Sequence, residues 1–308
     1  MATPPLPPVD AQRAVLLGPE GGDVGAVQSG WRLALREFMS NRLAVVGFGM
    51  IVFFVLFCFV GPLIYRTNQI DTNLIIANEA PSGAHLLGTD TNGFDELGRI
   101  MVGGQAALEI GFFAAVVAIV IGALWGAVSG LAGGIVDSVM MRVVDVFLSV
   151  PFLFVVLILA VKFGASVLSL SLVIGFFAWQ VPARLVRGEV LTLRERDFVL
   201  AARTAGSTSW RLISRHLLPN ALGVVIVNVT FQVADAILAV AYIGFLGFGL
   251  HFPNVDWGDM LSNGIEYLQD GYWWLIYPVG ACIVLTVMAL NFIGDALRDS
   301  MDVRLRRR

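Results

Sequence analysis

Charge is scarce in this chain and lysine is nearly absent. Acidic and basic residues make up 14% of the 308 positions against 57% apolar residues, and Lys162 is the sole lysine beside nineteen arginines. Soluble domains carry roughly a quarter charged residues, so this balance argues against a soluble enzyme built around one core. A net charge of -3 supplies no basic field for nucleic acid. Cysteine is scarce too: Cys58 and Cys282 each sit inside an apolar run and read as small hydrophobes rather than a disulfide framework or metal site. His85, His216 and His251 are far apart, with no second His or Cys at ligand spacing, so no metal centre is expected. No glycine-rich loop leads into a Lys-Ser or Lys-Thr pair, and Lys162 stands in Val-Lys-Phe-Gly. Without clustered backbone amides and a cation to hold phosphates, ATP hydrolysis by this chain is not expected. Neither a Gly-x-Ser-x-Gly elbow nor a His-Glu-x-x-His helix is present, which removes the common catalytic pairs of hydrolases.

Apolar runs fill the space that charge leaves. About 20 helical residues cross a ~30 Å hydrocarbon layer, and runs of that size lie near 43–65, 106–131, 139–163, 167–187, 221–248 and 273–294. The expectation is an all-α polytopic membrane protein with six spans, preceded by a Pro- and Gly-rich disordered tail over 1–29. The run from Leu43 to Tyr65 is too long for a signal-peptide core and is expected to remain as a span. Arginine sets the orientation. With the N-terminus inside, the inner segments gather Arg13, Arg32, Arg36, Arg42, Arg142, Arg184, Arg187, Arg194, Arg196, Arg203, Arg211, Arg215, Arg298, Arg304, Arg306, Arg307 and Arg308, leaving Arg66, Arg99 and Lys162 outside. Both termini are therefore expected in the cytoplasm. The outer segments 66–104 and 249–272 are acidic and large enough to meet an external partner; Asp95–Val102 also reads as a short interfacial helix.

The most informative segment is polar: residues 188–220, between the fourth and fifth spans. Phe198, Ala201, Ala202 and Ala205 recur at helical spacing, Gly206 breaks the run, and a second helix over Ser209–Leu218 is expected to stop before Pro219 and Asn220. Small side chains admit another backbone closely, while Arg203, Arg211 and Arg215 offer charge either to a partner protein or to lipid phosphate. Within the spans, Arg142 and Asp145 are three apart and can pair, and Asn228, Gln232 and Asp235 form a polar stripe on one helix face. That stripe lines either a translocation path or a contact between helices. Pro151 and Pro182 mark expected kinks.

The run Leu200-Ala201-Ala202, then Gly206, then Leu217-Leu218-Pro219 resembles the EAA loop that seats the permeases of ABC importers in their ATPases, with Leu200 where that family has an acid. Leu87-Gly-Thr-Asp90, Met141-Arg-Val-Val-Asp145, Ser149-Val-Pro151, Trp257-Gly-Asp-Met-Leu261, Asn291-Phe-Ile-Gly-Asp295 and Leu297-Arg-Asp299 are similar, in order and spacing, to the dipeptide/oligopeptide/nickel branch in its second-permease form. The likeness covers about 30–306. Departures are Phe94 and Gln105 in place of arginines and Val240 in place of an acid.

The resemblance implies a type I importer permease fold in a bacterial inner membrane, forming half of a pathway for dipeptides or oligopeptides. It also implies a homologous second permease, two ATPase subunits or domains holding ATP and Mg, and an extracytoplasmic solute-binding protein. No cofactor is implied in this chain. ATPase coupling falls on Ala201, Ala202, Arg203, Gly206, Arg211, Arg215 and Pro219. An ion-coupled secondary transporter is the alternative reading; it needs midplane coupling charges and an internal repeat, and Asp235 is its support.

Overall fold

Each long apolar run becomes helix, because hydrocarbon offers no water to backbone amides and carbonyls and a helix satisfies them internally. The computed structural model describes residues 38–306, with side chains through Met301. The tail expected over 1–29, with Arg13, and also Arg32, Arg36, Arg307 and Arg308, lies outside the described residues. The helices are α1 (Arg42–Phe59), α2 (Gly61–Ile64), α3 (Glu96–Ala132), α4 (Gly134–Ser149), α5 (Phe152–Phe163), α6 (Val167–Phe176), α7 (Gln180–Leu193), α8 (Asp197–Thr204), α9 (Ser209–Leu212), α10 (Leu218–Phe245), α11 (Trp257–Ile265) and α12 (Tyr277–Arg306). Four helical stretches are long and apolar enough to cross a membrane alone, and six crossings result when each of two bent pairs counts as one.

The kink expected at Pro151 is present, whereas the fourth span bends ahead of the proline expected to kink it. α4 and α5 meet at 79°. Pro151 cannot donate a backbone hydrogen bond, and it holds Val150 in the extended region (φ -84°, ψ 129°), which ends α4. α6 and α7 meet at 47°. Here the bend falls at Phe177–Trp179, ahead of Pro182. Pro182 is the third residue of α7, where a helix leaves its amides unpaired anyway, so it is not the kink.

Two expected boundaries also move. Asp95 accepts a hydrogen bond from the Gly98 amide at 2.9 Å and starts α3 at Glu96, so Asp95–Val102 is no separate interfacial helix but the opening of a 37-residue helix. Gly103 and Gly104, at the end of the expected outer segment 66–104, lie inside this helix as contact points: a Cβ on Gly104 would lie 2.4 Å from the Cys58 sulfur. The second helix of the polar segment does not stop before Pro219. α9 passes through a π turn, Ile213–Leu217, directly into α10. Pro219 follows that turn in the first turn of α10, where a missing amide hydrogen is tolerated.

α3 is the central post. Gly122, Gly126 and Gly130 recur every fourth residue along it, and α7 lies against them so closely that a Cβ on Gly126 would fall 2.3 Å from the Ala183 carbonyl oxygen. Its outer half packs with α5, α6 and α10 through Ile110, Val156, Leu170, Ile174 and Ile243. On the other side Phe54 and Cys58 of α1, Trp257 of α11 and Val279 of α12 close the structure. Val240 is 1% exposed within the first of these clusters, so the missing acid there is replaced by packing.

The outer loop is tied down by its polar residues. Asp95 also accepts from the Tyr65 hydroxyl at 2.8 Å and faces His85 Nδ1 at 2.9 Å. Phe94, standing where the family pattern has arginine, is buried beneath the Arg99 guanidinium, 4.5 Å from its ring centre. Gln105, at the second such position, donates to the Cys58 carbonyl at 2.7 Å. Trp257 reaches across to donate to the Ile100 carbonyl at 2.9 Å.

Candidate functional site

The polar segment over 188–220 is built in two faces. Val199, Leu212, Ile213 and Leu217 point inward and pack with Ala127 of α3 and Val186 and Val190 of α7. Phe198, Leu200, Ala201, Arg203, Trp210, Arg211 and Arg215 point outward, and Trp210 is 63% exposed. Gly206 sits at the corner with φ +82°, in the left-handed region that favours glycine. Its amide donates to the Arg203 carbonyl at 3.0 Å and the Ser207 amide to the Ala202 carbonyl at 3.1 Å. These paired bonds cap α8 as a Schellman motif. Thr208 then accepts from the Arg211 amide and opens α9. Of the residues expected to couple, Ala201, Arg203, Gly206, Arg211, Arg215 and Pro219 are exposed, whereas Ala202 is half-buried against the inward cluster. Leu200 is 42% exposed, so the position where the family has an acid is an apolar part of this surface.

Ion pairs hold α4 to α7 directly above that segment. Arg187 Nε and Nη2 donate to the two oxygens of Asp137 at 2.6 Å each, and the Ser129 hydroxyl donates to the same carboxylate. Sequence reasoning missed this pair, whose partners are 50 residues apart; the spacing of Arg184 and Arg187, three apart on one helix face, was the available signal. It also expected Asp145 to pair with Arg142. That pair exists at 3.7 Å, but the nearer partner is Arg184 at 2.5 Å. Arg194, at the end of α7, donates to the Gly130 carbonyl at 2.9 Å and ties the segment back to α3.

Inside the membrane-spanning body the polar stripe divides. Gln232 donates to the Ala178 carbonyl at 2.7 Å, a group whose helical donor four residues on would be Pro182, which has no N–H, and so serves a contact between helices. Asn228 is buried in a separate apolar niche with Ile119, Pro182 and Leu185. Asp235 is exposed and borders a cavity of about 240 Å³ with Ala114, Phe152, Phe177, Gln180 and Gln232.

Toward the other end, Asp256 accepts from the amides of Leu250 and Asp259, both at 2.9 Å, and caps α11. Burial pushes its carboxyl above the usual carboxylate range, with these amides opposing the shift. Burial likewise raises Asp259, opposed by the charge of Arg99.

Residues 108–307 match the family described as the inner membrane component of binding-protein-dependent transport systems, and residues 29–81 match the N-terminal TM domain of oligopeptide transport permease C. The oligopeptide transport system permease protein OppC of Bacillus subtilis is 38% identical over 90% of this chain and 90% of its own length. OppC of Escherichia coli K12 is 39% identical over 88% and 90%. The dipeptide transport system permease protein DppC of Bacillus subtilis is 35% identical over 89% and 86%. Among solved structures, the MetNI methionine ABC transporter in an inward-facing conformation aligns with a TM-score of 0.51 at 22% identity, covering 64% of this chain and 94% of that one.

Proposed function

Because the chain belongs to the family of inner membrane components of binding-protein-dependent transport systems, we propose that it forms half of the translocation pathway of an ATP-driven importer of dipeptides or oligopeptides. Membership in this family displaces the ion-coupled alternative. The other half of the pathway is a homologous permease. Two ATPase subunits or domains bind ATP and Mg and hydrolyse the ATP, and an extracytoplasmic solute-binding protein delivers peptide to the outer loops. The chain lies in the bacterial inner membrane with both termini in the cytoplasm, as its arginine distribution favours.

The observation that carries this reading is the two-faced segment. Its inward face is anchored to α3 and α7, while an apolar and basic outward face of Phe198, Leu200, Ala201, Arg203, Trp210 and Arg211 has no counterpart within the described chain. Such a surface, held rigidly on the spans, suits a cleft in the ATPase and passes motion from it to the helices. Leu200 replaces a charged contact there with an apolar one. The outer oxygen-rich loops suit a protein partner on the opposite side.

Ala201→Arg tests the docking. Ala201 is exposed, so the substitution adds bulk and charge without entering the core. Membrane insertion is expected at the wild-type level, with loss of ATPase co-purification and of ATP-dependent peptide uptake. A variant that still co-purifies its ATPase and imports peptide refutes the docking, and leaves the basic face to lipid headgroups.

A further inference from the structure

An ionised side chain in hydrocarbon costs several kcal/mol and is kept only where a cavity, water or a counter-charge receives it. Asp235 lies ten residues before the end of α10, well inside the stretch Ser209–Phe245 that is long and apolar enough to span. It takes part in no ion pair or side-chain hydrogen bond among the described residues. What receives it is the cavity of about 240 Å³, enough for several waters or a small organic group.

The rest of the lining shows what kind of group fits. Asp235 is the only charged residue on the wall. Beside it stand two amides, Gln180 and Gln232, and the latter is held by the Ala178 carbonyl. Phe152 and Phe177 contribute two aromatic rings, and Ala114, Ala115 and Ala118 keep the α3 side small. A carboxylate, side-chain amides and phenyl faces together select a cation that can both donate hydrogen bonds and lie against a ring. They offer no counter-charge to a carboxylate, since no cation is among the lining residues.

We propose that this cavity recognises the ammonium group of the solute in transit and that Asp235 is its counter-charge. The inference rests on the reading of the chain as a peptide importer, because the α-amino group is the one cation that every unblocked peptide carries. The terminal carboxylate then has to be neutralised elsewhere. Asp235 is a specificity-determining residue, and the Ala178 carbonyl, left without a helical donor by Pro182, fixes Gln232 beside it.

The test uses the whole transporter, purified through a tag on this chain and reconstituted in liposomes. The solute-binding protein is preloaded to saturation with trialanine or with its des-amino analogue propionyl-dialanine, so that differences in its own affinity cancel. The wild-type complex is expected to import trialanine at least about tenfold faster at saturation, a discrimination of about 1.4 kcal/mol. Asp235→Asn should bring the ratio to within about twofold by slowing trialanine alone, and Asp235→Glu should keep the preference. An unchanged ratio in Asp235→Asn overturns the ammonium site while leaving peptide import standing, as does equal slowing of both solutes in an assembled complex. If wild type imports neither solute, both the site and the importer reading fall.

Discussion

The Asp137–Arg187 pair should carry much of the stability of the α4–α7 contact, and a second pair between the same helices provides an internal control. In the first pair the Asp137 side chain is 12% exposed and Arg187 31%, with two 2.6 Å bonds. In the second, Arg184–Asp145, the side chains are 51% and 45% exposed. Removing one member of a buried pair costs roughly 3–5 kcal/mol. Because water reaches Arg187 in part, about 2–3 kcal/mol is the expected loss for Asp137→Asn. An exposed pair is worth at most ~1 kcal/mol, which is the ceiling for Asp145→Asn. At about 2–4 °C per kcal/mol for a chain of this size, Asp137→Asn should lower the apparent Tm by about 4–12 °C and Asp145→Asn by at most about 4 °C.

The chain carries its own reporters. Cys58 is fully buried, Cys282 is half-buried, and no other cysteine is present, so a thiol-reactive fluorogenic dye reads unfolding in detergent at a fixed scan rate. A double-mutant cycle with Arg187→Gln should give a coupling above about 1 kcal/mol, and one pairing Asp145→Asn with Arg184→Gln should give less than about 0.5 kcal/mol. Equal shifts for the two aspartate variants, or an Asp137→Asn protein that melts with the wild type, would refute the argument from burial.

Gly258→Ala should destabilise by roughly 1–3 kcal/mol in the same dye assay, because a Cβ there would lie 2.1 Å from the Ala241 carbonyl oxygen and drive α11 off α10. Gly49→Ala, with nothing within 4 Å of the added carbon, should leave stability unchanged or raise it. Asp259 gives a pH dependence of defined sign. Burial raises its native carboxyl above the ordinary 3.8, so the folded state holds this proton more tightly than the unfolded chain does. The resulting stability is fully present below the ordinary value and is lost as pH rises through the native one. Wild-type Tm should therefore fall more steeply than that of Asp259→Asn as pH rises from the ordinary carboxylate range toward neutral, and parallel profiles would count against it.

Run length and composition made the helical class legible, since about twenty apolar residues leave the backbone one economical arrangement in lipid. Local punctuation was harder. Pro151 and Pro219 look alike in sequence, yet the first ends α4 while the second follows a π turn inside a continuous helix. The difference lies in the backbone just before each proline, which residue type does not reveal. The outer segment was expected to run to 104, but α3 already begins at Glu96, and within it the missing side chains of Gly103 and Gly104 make room for Trp257 and Cys58. Partners distant in sequence stayed hidden. Asp145 and Arg142 were visible as neighbours on one turn, whereas Arg184 and Arg187 meet α4 only because α6 and α7 fold back along α3. On the polar segment, the glycine corner was legible from Gly206 alone, but periodicity could not show that Ala202 turns inward while Ala201 turns out.

The π turn leaves α9 and α10 without a flexible joint between them. From Ser209 to Asp235 is 26 helical steps, about 39 Å at 1.5 Å each, along one stretch that runs on to Phe245. A loop at this junction would act as a slack cable and absorb movement. A continuous helix instead acts as a crankshaft: a tilt or rotation applied at the exposed Trp210 would be carried along it toward Asp235, with the π turn setting the angular offset between the two ends.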